Sequence, residues 1–286
     1  LFVLTTTGAI YICPTTNTWV LSAASSGGRI YYPQNSVNSD IAGDPALGAF
    51  YKVAATTPSS GAESDVVISS PTTGAYVLGQ VFASATSQPG VTSFPAGTAY
   101  RYIYAKMDVG ASNAAIIKTD LFRYKTTGNE ATTGAVTTIS FALNGAAADT
   151  IHRSAGSFIA DGFTAGCLVT VSGSASNNIS FTAQTVTTAD LTLTLADNVV
   201  TEPAGATVTV VSKERLIRSG VSGSFEDTSL TLQTFTYSDA NAYAFAADDR
   251  VIFKWWAAKA GGGGTRTITL ATESASFQSY IQTTVR

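Results

Sequence analysis

The side chains able to do chemistry are few in this chain, and their spacing does not bring them together. His152 is the one histidine among 286 residues, and Cys13 and Cys167 are the two cysteines. A Ser-His-Asp triad would have to use His152, but no Gly-x-Ser-x-Gly elbow leads into a helical pattern. A zinc site needs several histidine or cysteine ligands, which the chain does not supply. His152 is therefore expected to be structural. The cysteines fall in different predicted modules, and so distant a pair does not by itself argue a disulfide. Both are expected as free, partly buried thiols.

Carboxylates are the remaining candidates for catalysis, since glycoside hydrolysis needs two converging acids. Adjacent pairs occur at Glu226-Asp227 and Asp248-Asp249. Neighbours on a strand point to opposite faces, so both pairs read as turn acids at strand ends. Asp40 and Asp44 with loop carbonyls could hold calcium, yet they lack the spaced acidic loop of an EF-hand. Gly261 to Gly264 are followed by no Lys-Ser/Thr pair and no helix, so they read as a hairpin tip rather than a phosphate cradle. Asn178-Ile179-Ser180 fits the glycosylation triplet, a pattern common by chance. Trp255 and Trp256 could offer one ring to a sugar, but alternation points one inward, and the outward one equally suits a subunit neighbour. No catalytic, metal-binding or cofactor-binding residue is assigned, and the chain is not read as an enzyme.

Composition sets the elements that must carry these residues. Hydrophobic residues make up 45% of the chain and charged ones 12%, which excludes ordinary disorder. Net charge is −3 with no basic block, so the footprint of a nucleic-acid binder is missing. No run of eighteen apolar residues occurs, and no membrane partner is expected. The Leu1–Leu4 run is too short for a signal-peptide core, and a start at Leu1 leaves an upstream segment either removed or outside this sequence. Thr, Val and aromatic residues suit pleated, half-buried surfaces. A surface low in charge and rich in hydroxyls suits contact with other subunits.

Along the chain, short alternating segments separated by Gly, Asn, Asp and Pro predict an all-β protein. Residues 1–50 read as a strand-and-loop region, with short strands near Leu1–Leu4 and Ala9–Ile12 and a loop-rich stretch from Pro33 to Gly48. This region either wraps a neighbouring subunit or packs on its own domain. Residues 51–130 together with 213–286 read as an antiparallel, jelly-roll-like sandwich. In Ala99–Asp108, Tyr100, Tyr102 and Tyr104 share one face while Arg101, Ile103, Ala105 and Met107 share the other. Ala115–Tyr124 is expected to pair beside it through a turn at Gly110–Asn113. An apolar phase shift between Leu232 and Phe235 suggests a bulge. Asp248–Ala258 and Arg266–Leu270 read as one hairpin, and Ser279–Val285 as the last strand.

Residues 131–212 read as an inserted small β-barrel or sandwich of five to seven strands, with one helical turn over Ser157–Gly162. If they are removed, Phe122–Glu130 runs into Lys213–Gly220 as one hairpin turning at Thr127-Gly128-Asn129. The insert is accordingly expected to be separable from its host.

Two resemblances follow from these residues. Asp249-Arg250-Val251-Ile252-Phe253-Lys254-Trp255-Trp256, a glycine-rich turn, Thr267-Ile268-Thr269-Leu270 and Ser279-Tyr280-Ile281-Gln282-Thr283 resemble the C-terminal part of jelly-roll proteins of tailed bacteriophages. Arg123–Glu130, resumed at Leu216-Ile217-Arg218-Ser219, is similar to a hairpin of the same proteins. The insert resembles a β module of phage virion proteins through Arg153-Ser154, Gly156-Ser157-Phe158, Asp161-Gly162-Phe163, Gly166, Val169, Val171-Ser172-Gly173, Asn177-Asn178 and Phe181-Thr182. Cys167 stands where that module usually has an acidic residue, and Asp248 where the outer pattern usually has Gly.

The resemblance implies a non-enzymatic virion structural protein acting as capsid decoration, tail or fibre on the particle surface. Its partners would be its own copies, with a trimer expected, and other virion proteins, with a host surface glycan as a further option. The rival readings are a carbohydrate-binding adhesion module and a cell-surface filament subunit complementing a neighbour's sheet edge.

Overall fold

The computed structural model describes residues 29–59, 61–69, 73–86, 88–109, 114–261, 266–274 and 276–283, and the backbone alone of 2–4, 10–15 and 18–21. The protein is all-β: no helix occurs among the described residues. Three short strands, β1 (Phe2–Leu4), β2 (Ile10–Thr15) and β3 (Thr18–Leu21), form a small antiparallel sheet of their own. The side chains of residues 1–28, Cys13 and Trp19 included, lie outside the described residues, as do the expected turns at 110–113 and 262–264.

The main sandwich takes its first strands from β4 (Ile30–Ala42), β5 (Phe50–Ala55), β6 (Ser64–Ser69), β7 (Val77–Ser84), β8 (Ser93–Phe94), β9 (Gly97–Met107) and β10 (Ala115–Tyr124). Here the loop-rich reading of Pro33–Gly48 is corrected, because β4 is the longest strand of the protein and runs through Pro33 to Ala42. Its ladder with β5 slips between Gln34 and Asn38 and again between Asn38 and Ala42. Side chains replace the lost ladder bonds. The Ser36 amide donates to Glu273 at 2.6 Å, and the Asn35 amide group donates to the Asp65 carbonyl at 3.0 Å. Turn-forming residues thus build a bulged strand once long-range partners satisfy the backbone.

The insert supplies β11 (Ala131–Thr132), β12 (Ile139–Ala142), β13 (Thr150–Arg153), β14 (Leu168–Ser172), β15 (Ser180–Val186), β16 (Asp190–Leu193) and β17 (Thr209–Ser212). These pair only with one another, in the order β11-β17-β14-β15-β16-β13-β12. Bridges from Val136 to Val208 and from Phe141 to Glu202 link the two ends of that sheet through the segment before β17. The turn over Ser157–Gly162 closes with the Asp161 amide donating to the Ser157 carbonyl at 3.0 Å. Gly162, at φ 96°, ends it. Arg153 pairs with Asp161 and lies over the Phe158 ring. Gly173 is required by packing, since a Cβ there would stand 2.2 Å from the Thr207 carbonyl oxygen. Several residues of the insert's motif therefore hold its turns and packing.

The chain then returns through β18 (Glu214–Val221), β19 (Thr231–Asp239), β20 (Tyr243–Ala244), β21 (Arg250–Lys259), β22 (Thr267–Thr272) and β23 (Tyr280–Gln282). One layer of the sandwich runs β18-β10-β21-β7-β5-β4 and the other β4-β23-β9-β22-β6, with β19 on the free side of β9. β4 belongs to both, pairing with β5 along its length and with β23 at Ile30 and Tyr31. Between the layers sits one apolar core that includes Ile103, Ile117, Phe253, Trp255 and Ile268.

Several expected pairings are corrected by this topology. β10 pairs with β18 and β21, not with β9. β9 and β10 lie in opposite layers, and the Arg101 side chain reaches across to the Thr119 hydroxyl at 2.9 Å. β21 and β22 likewise lie in different layers and form no hairpin. β19 follows β9 without a register shift, Thr231 opposite Ala105 through Asp239 opposite Gly97, so there is no bulge. The phase shift arises because Leu232 simply faces solvent while Phe235 points inward. Alternation reports which face a side chain occupies, and leaves the partner strand open.

Candidate functional site

Two features stand out: an outward tyrosine face on the second layer, and a buried seam where the insert sits on the first. Along β9 the inward residues Ala99, Arg101, Ile103, Ala105 and Met107 are buried, while Tyr100, Tyr102 and Tyr104 are half-buried on the outer surface. Tyr280 pairs opposite Tyr102 on β23, and Leu232, Thr234 and Thr236 oppose Tyr104, Tyr102 and Tyr100 on β19. Tyr32 continues the row on β4 at 5.8 Å from Tyr280.

The rings of Tyr102 and Tyr280 are 4.4 Å apart at an interplanar angle of 23°. Rings that close lie face to face, so they stand on edge above adjacent strands, which are themselves about 4.8 Å apart. Tyr100 stacks beside Tyr102 along the strand at 6.2 Å and 18°, and Tyr104 meets Phe277 edge-on at 5.3 Å. The strip is thus a run of half-buried phenols packed ring against ring. Burial among these neighbours pushes the Tyr280 hydroxyl up, with Tyr102, Tyr32 and Tyr104 adding to the effect. Charge lies at the end of the face toward β6, where Lys106, the next outward residue of β9 after Tyr104, acts on Asp65 together with Glu63.

On the first layer the central strand β21 is covered on both faces. Every residue of β21 is buried. Trp255 and Phe253 point into the sandwich core, while Trp256 and Ile252 point the other way into a second cluster. That cluster is shared with the insert, since it also holds Phe122, Phe158, Phe163 and Phe181. Neither indole is available to a sugar or a neighbouring subunit, which corrects that option. The insert forms a sheet of its own, but its core and the outer face of the first layer are one body of packed side chains, which bears against the expected separability.

A buried ion pair pins the seam. Lys254 on β21 and Glu214, the first residue of β18, are 2.8 Å apart and have no appreciable exposure. Lys254 also donates to the Gly166 carbonyl at 2.6 Å, and Glu214 accepts from the Leu168 amide at 2.8 Å and from the Tyr51 hydroxyl at 2.6 Å. The Gln184 side chain donates to the Tyr76 carbonyl at 2.9 Å and the Leu216 amide to the Thr164 hydroxyl at 2.9 Å. At one end a cavity of about 230 Å³ remains between Leu47, Tyr76 and Leu78 of the sandwich and Ala148, Leu195 and Ala196 of the insert. A lysine inside the apolar run Val251–Ala258 was the available signal for this pair. Its partner, 40 residues earlier in the numbering (254 − 214), could not be named from the pattern.

The remaining sequence candidates are scattered. His152 is exposed and pairs with Asp190 across β13 and β16 at 2.7 Å. Cys167 is a buried free thiol, pushed up to about 11 by burial first. Asp40 pairs with Arg250 at 2.7 Å, whereas Asp44 accepts from the Thr182 hydroxyl at 2.5 Å, so the two do not converge. Asp249 is buried and caps the Ala246 amide at 2.8 Å, and Asp227 accepts from Gln233 at 3.1 Å. Among the described residues no group of three His, Cys, Asp or Glu is placed to hold a metal ion.

No protein-family model matches the chain, and no curated protein matches it. Among solved structures it is similar to an α-amino acid ester hydrolase labelled with selenomethionine, at 8% identity over 72% of this chain and 25% of that one, with a TM-score of 0.29. It is similar to an aminopeptidase from the marine sediment archaeon Thaumarchaeota archaeon, at 7% identity over 95% and 39%, with a TM-score of 0.31. A third likeness is to infectious bursal disease virus, Gt strain, at 10% identity over 96% and 46%, with a TM-score of 0.15. This chain thus spans under half the length of each of them. At TM-scores this low, none of the three carries an argument about fold or activity.

Proposed function

We propose that the chain is a non-enzymatic structural subunit of a tailed-bacteriophage virion, and that its copies meet through the tyrosine face of the second layer. The observation that carries the assembly reading is the on-edge row of Tyr32, Tyr280, Tyr102 and Tyr100, flanked by Thr234 and Thr236. Tyrosines already held by mutual stacking lose little freedom on docking, and they are enriched where proteins meet. Hydroxyls both donate and accept, so two such faces complement each other, and the absence of charge along the row removes like-charge repulsion. A glycan-binding platform would need open ring faces, and here Tyr102 and Tyr280 cover each other. The virion assignment is supported by the motif resemblance, whose insert residues hold turns and packing rather than a reactive group. Mass spectrometry of purified particles from the source culture tests it. Stoichiometric recovery of the chain from particles supports the reading, and recovery only as free protein overturns it.

A further inference from the structure

We propose that Asp44 and Asp197 form a proton-operated latch that holds the insert on the main sandwich in acid and weakens its hold as the medium turns neutral. Asp44 belongs to the sandwich, in the turn between β4 and β5, and Asp197 to the insert, in the turn after β16. Both are buried, at 2% and 4% exposure. One residue touches both: the Thr182 hydroxyl donates to Asp44 at 2.5 Å, and the Thr182 amide donates to Asp197 at 3.1 Å. Thr194 adds a hydroxyl to Asp197 at 2.7 Å, and the Ala46 amide adds a bond to Asp44 at 2.9 Å.

These partners are neutral dipoles, and neither carboxyl makes an ion pair among the described residues. Tyr51 faces Asp44 from β5, and its hydroxyl is already given to Glu214. The charge of Lys254 is matched by Glu214. Tyr124 of β10 acts on Tyr51, and Asp149 is occupied by the Asn144 and Val199 amides. Two desolvated carboxylates facing each other without a cation cannot both ionise cheaply. A proton on one converts their repulsion into a hydrogen bond across the seam.

The direction of the effect follows. Burial first and the neighbouring Asp44 second raise the Asp197 carboxyl to about 7. An unfolded aspartate titrates near ~3.9. The folded protein therefore holds a proton that the unfolded chain has released. The stabilisation is fully present below the unfolded value and is lost as pH rises through about 7.

Denaturant unfolding of the full chain at intervals from pH 5 to pH 8 tests this. The unfolding equilibrium constant of the wild type should rise several-fold per pH unit between pH 5 and about 7, with a ceiling of about tenfold for one proton, and level off above that. Asp197→Asn should flatten that slope and leave the protein more stable than the wild type at pH 8. Histidines ordinarily titrate in the same range, so His152→Gln serves as the control and should keep the wild-type slope. Hydrogen exchange at the Gly166, Leu168 and Thr182 amides, corrected for intrinsic rates, should quicken with pH in the wild type and not in Asp197→Asn. If Asp197→Asn does not fold, Asp44→Asn gives the same reading. A flat wild-type profile, or a slope unchanged in the asparagine variant, overturns the latch.

Discussion

Lys254 and Glu214 stand 2.8 Å apart beneath the insert, one from a fully buried strand of the sandwich and the other from the first position of β18, two residues after the insert ends. Each also bonds the insert backbone, Lys254 at the Gly166 carbonyl and Glu214 at the Leu168 amide. Phe122 lies under the lysine, with its ring centroid 5.0 Å from Nζ. The pair joins three pieces of chain in a site without water access.

Breaking one partner of such a pair leaves the other charged and buried. Lys254→Met is therefore expected to cost about 3–5 kcal/mol, measured by denaturant unfolding. Replacing Glu214 as well, by Leu, should recover part of that loss, because the stranded carboxylate is gone. A Lys254→Met variant within about 1 kcal/mol of wild type would mean that the pair is solvated or already neutral.

The seam also decides the fate of a chain without its insert. Joining Glu130 to Lys213 through a short turn would keep the β10–β18 hairpin but expose Phe122, Ile252 and Trp256, all buried in the shared cluster. The shortened protein is expected to aggregate, or to bind a hydrophobic dye and melt without cooperativity. A soluble shortened chain with a cooperative melt like that of the intact protein would show that the seam contributes little to the sandwich.

Cys167 offers a probe of the same region. Its thiol is buried, and burial first pushes it up to about 11, so the reactive thiolate is scarce at neutral pH. Labelling at position 167 by a thiol reagent should therefore track global unfolding, rising only across the denaturant transition. Rapid labelling of the native protein at Cys167, located by peptide mapping, would contradict the packing around Gly166 and Glu214.

What was legible in advance follows from what alternation encodes. The two faces of Ala99–Asp108 and the opposite placement of Trp255 and Trp256 are consequences of period two, and both hold in the structure. Partner strands were not legible, so β10 was expected beside β9 and β21 beside β22, although both pairs lie across the sandwich. Pro33, Asn35, Ser36 and Asn38 read locally as a loop and became a bulged strand only because Glu273, Asp65 and Lys52 supply bonds from elsewhere in the chain. The tyrosine row was half visible. Tyr100, Tyr102 and Tyr104 could be placed on one face, but the arrival of Tyr280 and Tyr32 beside them depends on sheet order. The approach of Asp44 to Asp197 was invisible for the same reason, since Asp44 invited comparison only with its sequence neighbour Asp40.

Light scattering on the purified full chain, beside Tyr102→Lys, tests assembly through the tyrosine face most directly. Tyr102 lies on the outer surface, so the lysine variant should keep the wild-type circular dichroism spectrum and thermal midpoint. The wild type is expected to run at micromolar concentration as a closed oligomer, a trimer of 29.5 kDa subunits, and Tyr102→Lys as a monomer. A wild type that is a monodisperse 29.5 kDa monomer, or a Tyr102→Lys variant that assembles as the wild type does, would contradict it.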